Sequence, residues 1–135
     1  MKSKILLIED EFTAIKIYEG VLKRAGFNVD TLMLGKDALE RLNKIKKGKK
    51  EKPDLVLLDL ILPDVNGIEV LKRAKKEKET KDIPFFILTN YVDMETKKVG
   101  EKIGVEKYIV KTDITPAELI MTIKKTFKRK IQAIK

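Results

Sequence analysis

Apolar residues fall along this chain in two alternating rhythms. Short unbroken apolar runs occupy Lys4 to Ile8, Leu55 to Leu58 and Pro84 to Leu88. Runs of this length between breakers suit strands buried on both faces, as in a parallel sheet. Phe27 to Met33 alternates weakly and Lys107 to Val110 is short; both read as further strands. Between the strands the spacing turns helical. Ile15, Tyr18, Leu22 and Ala25 form one stripe, and Gly26 stops that helix. Gly35 opens a second helix on Ala38, Leu39, Leu42 and Ile45, before the solvated loop Lys46 to Lys52. Ile68, Leu71 and Ala74 mark a third helix, which ends in the polar run Lys75 to Asp82. Asp93 to Ile103 carries only Val99 and Ile103 as clear apolar positions, so the fourth helix is expected to be the loosest. Thr115-Pro116-Ala117-Glu118 is a capping box with proline at the first helical position. The last helix then runs on Ile120, Ile123, Phe127, Ile131 and Ile134.

Five strands alternating with five helices predict an α/β domain, doubly wound, with one five-stranded parallel sheet and helices on both faces. In such sheets ligands bind beyond the carboxyl ends of the strands. Those ends carry the chemistry. The first strand closes in Glu9 and Asp10, the third in Asp59, the fourth in Thr89 and the fifth in Lys111. Three carboxylates together repel, so positive charge must sit among them. Lys111 supplies one charge, and a divalent cation is the natural second, with hard oxygen ligands suiting Mg2+. Metal, ammonium and hydroxyl converging on one carboxylate point to phosphoryl transfer onto Asp59 as nucleophile.

Composition narrows the field. A chain of 135 residues predicts one domain, residues 1–135, and 43% hydrophobic residues are ample for one core. No apolar run approaches the length of a membrane span, and the start is too short and too acidic for a signal peptide, so a cytoplasmic location is expected. The absence of cysteine and histidine excludes disulfides, thiolate chemistry, histidine triads and most zinc sites. The net charge of +9, with lysine far outnumbering arginine, fits nucleic acid, an acidic membrane or simply a lysine-rich surface. The last is preferred, and no direct DNA binding is expected.

Taken together, these residues resemble the receiver domain of response regulators in two-component signalling and phosphorelays. The resemblance covers about Lys4 to Phe127 and rests on several features in order. They are the acidic pair Glu9-Asp10, Asp59 with the Leu62-Pro63 and Asn66-Gly67 elements, the hydroxyl residue Thr89, the aromatic Tyr108 and the site lysine Lys111. It implies the flavodoxin-like strand order 2-1-3-4-5, which the chemotaxis receiver illustrates. It also implies a phosphoacceptor switch rather than an enzyme in its own right, one that assists its own magnesium-dependent phosphorylation and dephosphorylation. The donor would be a phosphohistidine on a sensor histidine kinase or a histidine phosphotransfer protein. Asp10 and Asp59 would bind Mg2+ directly, Glu9 through water, and the backbone carbonyl of Ile61 would complete the protein ligands. Phosphorylation would draw Thr89 inward and let Tyr108 follow. That would change the surface of the fourth helix, fifth strand and fifth helix, where an unknown downstream protein would bind.

Three departures stand out. Glu9 replaces the commoner Asp, Thr112 replaces the Pro that usually follows the lysine, and Ile61 and Tyr91 occupy two variable positions that influence loss of the phosphoryl group. The alternative reading is a phosphorylation-independent protein-binding module with this fold. An aspartate-nucleophile phosphatase of the haloacid dehalogenase type would need a second Asp where Ile61 stands. No output domain is expected after the last helix, whose basic amphipathic end at about residues 128–135 runs past the core it should cover. A loop carboxylate at Asp59, plain strand-end packing for Thr89 and Tyr108, and helix-start charge for Glu9 to Glu11 are the unspecialised readings; Glu11 is expected to serve only the helix start.

Overall fold

The computed structural model describes residues 2–134, with the side chain of Ile134 outside the description. The expected alternation is present. The strands are β1 (Lys4–Ile8), β2 (Asn28–Leu32), β3 (Leu55–Leu58), β4 (Phe85–Thr89) and β5 (Lys107–Val110). The helices are α1 (Phe12–Arg24), α2 (Gly35–Lys46), α3 (Gly67–Lys76), α4 (Met94–Ile103) and α5 (Pro116–Ile134), with a single 3-10 turn at Lys111–Asp113. All strand pairs are parallel and the order is β2-β1-β3-β4-β5.

The continuous apolar runs become the three central strands because parallel strands are covered on both sides. Successive side chains alternate across the sheet. Ile5, Leu7, Leu55, Leu57, Phe86 and Leu88 pack under α1 and α5 with Tyr18, Leu22, Leu119 and Ile123. Leu6, Ile8, Val56, Leu58, Phe85 and Ile87 pack under α2 and α3 with Ala38, Leu42, Leu71 and Ala74. Ile103 of α4 and Tyr108 of β5 border this second layer. The edge strands β2 and β5 are less buried, which is why their sequence rhythm is weak.

Register places the strand ends together. Ile8 pairs with Leu58, and the Asp59 amide donates to the Ile8 carbonyl, so Glu9 and Asp59 leave the sheet side by side. Thr89 pairs with Val110, which sets Lys111 one residue further along the same edge. As expected, α4 is the least buried helix: Gly100 is its only buried residue, and Val99 is exposed. It ends at Gly104, whose φ of 113° is open to glycine and strained for other residues. The capping box forms as read: the Glu118 amide donates to Thr115 Oγ1 and the Thr115 amide to Glu118 Oε1. Glu11 sits at the N-cap of α1 without a side-chain capping bond, so only its charge can serve the helix start there.

The loop after β3 is closed upon itself. Ile61 and Asn66 form an antiparallel bridge, the Gly67 amide donates to the Leu60 carbonyl, and Asn66 caps α3 by accepting from the Ile68 amide. A methyl group on Gly67 would lie 2.5 Å from the Asp59 carbonyl oxygen and 2.7 Å from the Leu60 Cα, so only glycine lets the loop come this near to Asp59. The loop is also tied to a distant helix. Asp64 accepts from the amides of Gly35 and Lys36, both at 2.8 Å, and so caps α2, whose own N-cap residue Leu34 has no side chain able to do so. The Lys36 amide, with a smaller contribution from Gly35, holds the Asp64 carboxyl below the usual carboxylate range despite its partial desolvation.

Asp64→Ala is expected to lower the unfolding midpoint at neutral pH. A carboxyl whose pKa falls on folding stabilises the native state above its unfolded pKa and loses that effect as pH drops through the folded one. The gap between wild type and variant should therefore hold above about 3.8, the ordinary value, and shrink as pH falls through the lowered value. Thermal unfolding of both proteins across pH checks this; a gap that widens on acidification contradicts it.

Candidate functional site: an acidic basin at the strand ends

Glu9, Asp59 and Lys111 meet at the carboxyl edge of the sheet. The Lys111 ammonium donates to Glu9 Oε1 at 2.5 Å and to Asp59 Oδ2 at 3.0 Å. All three side chains are withdrawn from water, with exposures of 11% for Lys111, 2% for Glu9 and 9% for Asp59. Burial pushes the Glu9 carboxyl above its usual range, although Lys111 and the Glu11 amide pull against it. Burial alone would lower the Lys111 ammonium. Its hydrogen bonds to Glu9 and then Asp59 outweigh that, and its pKa ends above the ordinary lysine value.

The other oxygen of Asp59 is also engaged. Thr89 Oγ1 donates to Asp59 Oδ1 at 2.6 Å, and the Ile61 amide donates to the same oxygen at 3.2 Å. Thr89 is fully buried. Its hydroxyl oxygen accepts from the Tyr91 amide at 3.2 Å, and the Tyr91 carbonyl accepts from the Tyr108 hydroxyl at 2.6 Å. A hydrogen-bonded path thus leads from Asp59 through Thr89 and the Tyr91 backbone to Tyr108. Asp93, two residues on, caps α4 by accepting from the Glu95 amide and from Thr96 Oγ1.

Glu9, Asp10, Glu11, Asp59, Ile61, Thr89, Asn90, Tyr91 and Lys111 line one open basin of about 530 Å3. The structure therefore brings together Glu9, Asp10, Asp59, Thr89 and Lys111 from four strand ends, with Ile61 and Tyr91 at the rim. Tyr108 lies outside the basin, in the neighbouring depression with Val92, Asp93 and Met94. One oxygen each from Glu9, Asp10 and Asp59 lies within 4.8 Å of the others. Such a cluster of hard carboxylate oxygens fits a small divalent cation. Thr112, in place of proline, lies in the 3-10 turn after β5, and no cis peptide occurs among the described residues.

Two roles were not legible in the sequence, although Tyr91 itself stood out there as a rim position. Tyr91 acts through its main-chain amide and carbonyl, which carry no side-chain signature. Asp64 reaches a helix 28 residues earlier in the chain, and nothing local marks that partner.

The model of the response regulator receiver domain matches residues 5–124. The chain belongs to that family. It is 33% identical over 129 residues to the alkaline phosphatase synthesis transcriptional regulatory protein PhoP of Bacillus subtilis, covering 96% of this chain and 50% of that protein. The receiver spans about half the length of the curated relatives it matches. Among solved structures, the phosphorylated cyanobacterial phytochrome response regulator RcpA is similar, with 28% identity and a TM-score of 0.80 over 93% of this chain and 91% of that one. The Mn2+-bound form of response regulator Rcp1 has 27% identity and a TM-score of 0.80, covering 90% and 91%. The Glu9-Asp10-Asp59 cluster is typical of a receiver metal site. No helix among the described residues is long and apolar enough to cross a membrane.

Removing the cation from this receiver's buried triad isolates its energetics. Lys111→Met is expected to lower stability by about 3–5 kcal/mol, the usual cost of leaving a buried charge without its partner. Adding Glu9→Gln should recover part of that loss, because one of the two stranded carboxylates is gone. Urea unfolding of the four proteins gives the cycle, and simple additivity would mean that Glu9 and Lys111 do not act as a unit.

Proposed function

We propose that this receiver is a phosphoacceptor switch, with Asp59 taking a phosphoryl group from a phosphohistidine on a sensor histidine kinase or a histidine phosphotransfer protein. The observation that carries this is Asp59 itself. Its carboxylate faces an open basin and is held by a hydroxyl on one oxygen and an ammonium on the other. An Asp59 oxygen attacks phosphorus, the bond from phosphorus to the donor nitrogen breaks, and the freed imidazole takes up a proton. The product is an acyl phosphate. In this reading Lys111 pairs with the phosphoryl oxygens and Thr89 hydrogen-bonds one of them, which their present contacts with Asp59 support.

Glu9, Asp10 and Asp59, with the Ile61 carbonyl, would hold Mg2+. When bound, the ion supplies positive charge beside the incoming phosphoryl group. Without added positive charge the basin opposes an anionic donor, since two like charges about 4 Å apart repel by about 4 kcal/mol at an effective dielectric near 20.

The signalling step uses the path from Thr89 to Tyr108. Thr89 already bonds the bare Asp59, and Tyr108 already bonds the Tyr91 carbonyl. In this reading phosphorylation stabilises an arrangement that the bare site already adopts. The readout is the surface of α4, β5 and α5, and an unknown protein partner binds there. Whatever else the full-length protein carries, its receiver acts in signalling and not as a turnover enzyme.

Incubation with acetyl phosphate and magnesium, read by intact mass, should add one phosphoryl group to wild type. Asp59→Asn, or wild type in chelator, should gain none, and Asp10→Asn should label slowly. Equal labelling of Asp59→Asn would reject the assignment, and no labelling of wild type would favour a phosphorylation-independent binding module.

The lifetime of the acyl phosphate follows from the rim. Hydrolysis needs a water in line with phosphorus. Ile61 offers that water no polar side chain, and Tyr91 is bulky at the same opening. Ile61→Asn is expected to shorten the lifetime several-fold. The decay of the labelled species after removal of donor measures it, and equal decay in both proteins counts against this role of Ile61.

A further inference from the structure

The outer face of α5, a helix that also borders the readout surface, carries a basic pattern of its own. The helix continues through Ile134, and its end is fastened, with Arg129 and Lys130 both pairing with Glu106 in the turn before β5, at 2.8 and 3.0 Å. Its inner face meets the core through Leu119 and Ile123. On the opposite face lie Met121, Lys124, Lys125, Lys128 and Ile131, all exposed. Their spacing of three, four and seven residues puts them along one stripe. Met121 is 58% exposed and Ile131 57%, one at each end of the lysine row and about 15 Å apart along the axis. Among the described residues, none of the three lysines has a carboxylate within ion-pair distance.

We propose that this stripe is an anionic lipid-binding surface, on which α5 lies flat with Met121 and Ile131 entering the interface between lysine contacts. A helix with basic residues beside exposed aliphatic ones suits the boundary between headgroups and acyl chains. Nucleic acid fits less well. The stripe has neither the arginine forks nor the aromatic faces that grip phosphate and bases, and two exposed aliphatic side chains gain nothing from a phosphate backbone. A second copy of the chain paired through the same stripe would set lysine against lysine. The surrounding charge favours the same orientation. Asp37, Glu69, Glu95 and Glu118 occupy first helical turns at the edge that bears the basin, whereas Arg24, Lys46, Lys76 and Lys102 occupy last turns at the far edge. An anionic surface therefore attracts the far edge, with the end of α5, more strongly than the basin edge.

The test is co-sedimentation with vesicles of equimolar phosphatidylcholine and phosphatidylglycerol, with phosphatidylcholine alone as the neutral comparison. Wild type should bind the anionic vesicles. It should leave them when salt is raised to about 1 M, where charges are screened beyond about 3 Å. Each lysine near an anionic surface is worth about fivefold in affinity, so Lys124→Gln, Lys125→Gln and Lys128→Gln together should weaken binding about a hundredfold. Ile131→Ser keeps every charge and should weaken it several-fold. Circular dichroism of both variants should match wild type. Equal binding to neutral vesicles, undiminished binding of the triple variant, or tighter binding to duplex DNA or RNA than to anionic vesicles would overturn the proposal. So would self-association of wild type in light scattering, abolished by the triple variant, without vesicle binding. The readout is independent of phosphorylation, so failure of the acetyl phosphate experiment would not decide it.

Discussion

Glu9 and Asp59 lie beneath the surface, where an unpaired carboxylate costs on the order of several kcal/mol, and the ammonium of Lys111 between them makes both tolerable. That one triad constrains the sheet. The carboxylates leave adjacent strands, β1 and β3, but the lysine follows β5, two strands away from β3. It reaches them only if β4 holds β5 in register, with Thr89 opposite Val110. The rigid apolar centre of the sheet thus serves the polar edge. Leu55 to Leu58 and Phe85 to Leu88 are buried on both faces, and the backbone positions that follow them are fixed by the ladder.

The same triad explains how a charge added at Asp59 could be felt elsewhere. Every oxygen of that carboxylate already has a partner: Thr89 and the Ile61 amide on one, Lys111 on the other. New atoms on Asp59 must displace or redirect those partners. Thr89 is bonded onward to the Tyr91 amide, and Tyr91 to Tyr108 through its carbonyl, so redirection is passed along main-chain atoms near the start of α4. That helix has no fully buried side chain and is held at its start by the Asp93 cap, so it is the element with least to lose by moving.

Much of this was legible in the sequence. The apolar runs of β3 and β4 stand out because parallel strands need no polar face, and the glycine and capping-box signals bounded α4 and α5 closely. Glu9, Asp10, Asp59, Thr89 and Lys111 could be grouped beforehand because a parallel sheet sends every strand end to one edge. What the sequence does not reveal depends on three-dimensional approach. Asp64 caps α2 across the fold, Gly67, legible as a turn residue, is required by the nearness of the Asp59 carbonyl, and Tyr91, legible as a rim side chain, serves as a hub through its backbone. β2 was weakly marked because an edge strand carries polar residues such as Asp30 and Thr31, each busy with a helix: Asp30 with Arg41 and Thr31 with Glu19.

The two edges of the sheet differ in how much change they can absorb. Every connection at the basin edge holds a residue of the site or a clasp upon it. In the connection from α2 to β3, residues Lys47 to Lys52 lie at the far edge and are exposed. The amides of Lys47, Gly48 and Lys49 close the end of α2, and beyond them the ties of this stretch are surface ion pairs, from Glu51 to Lys4 and from Lys52 to Asp82. A reporter module spliced between Lys49 and Glu51 would leave the strand ladder and the acidic basin untouched. The architecture thus offers a place to build on that is insulated from the place where it reacts.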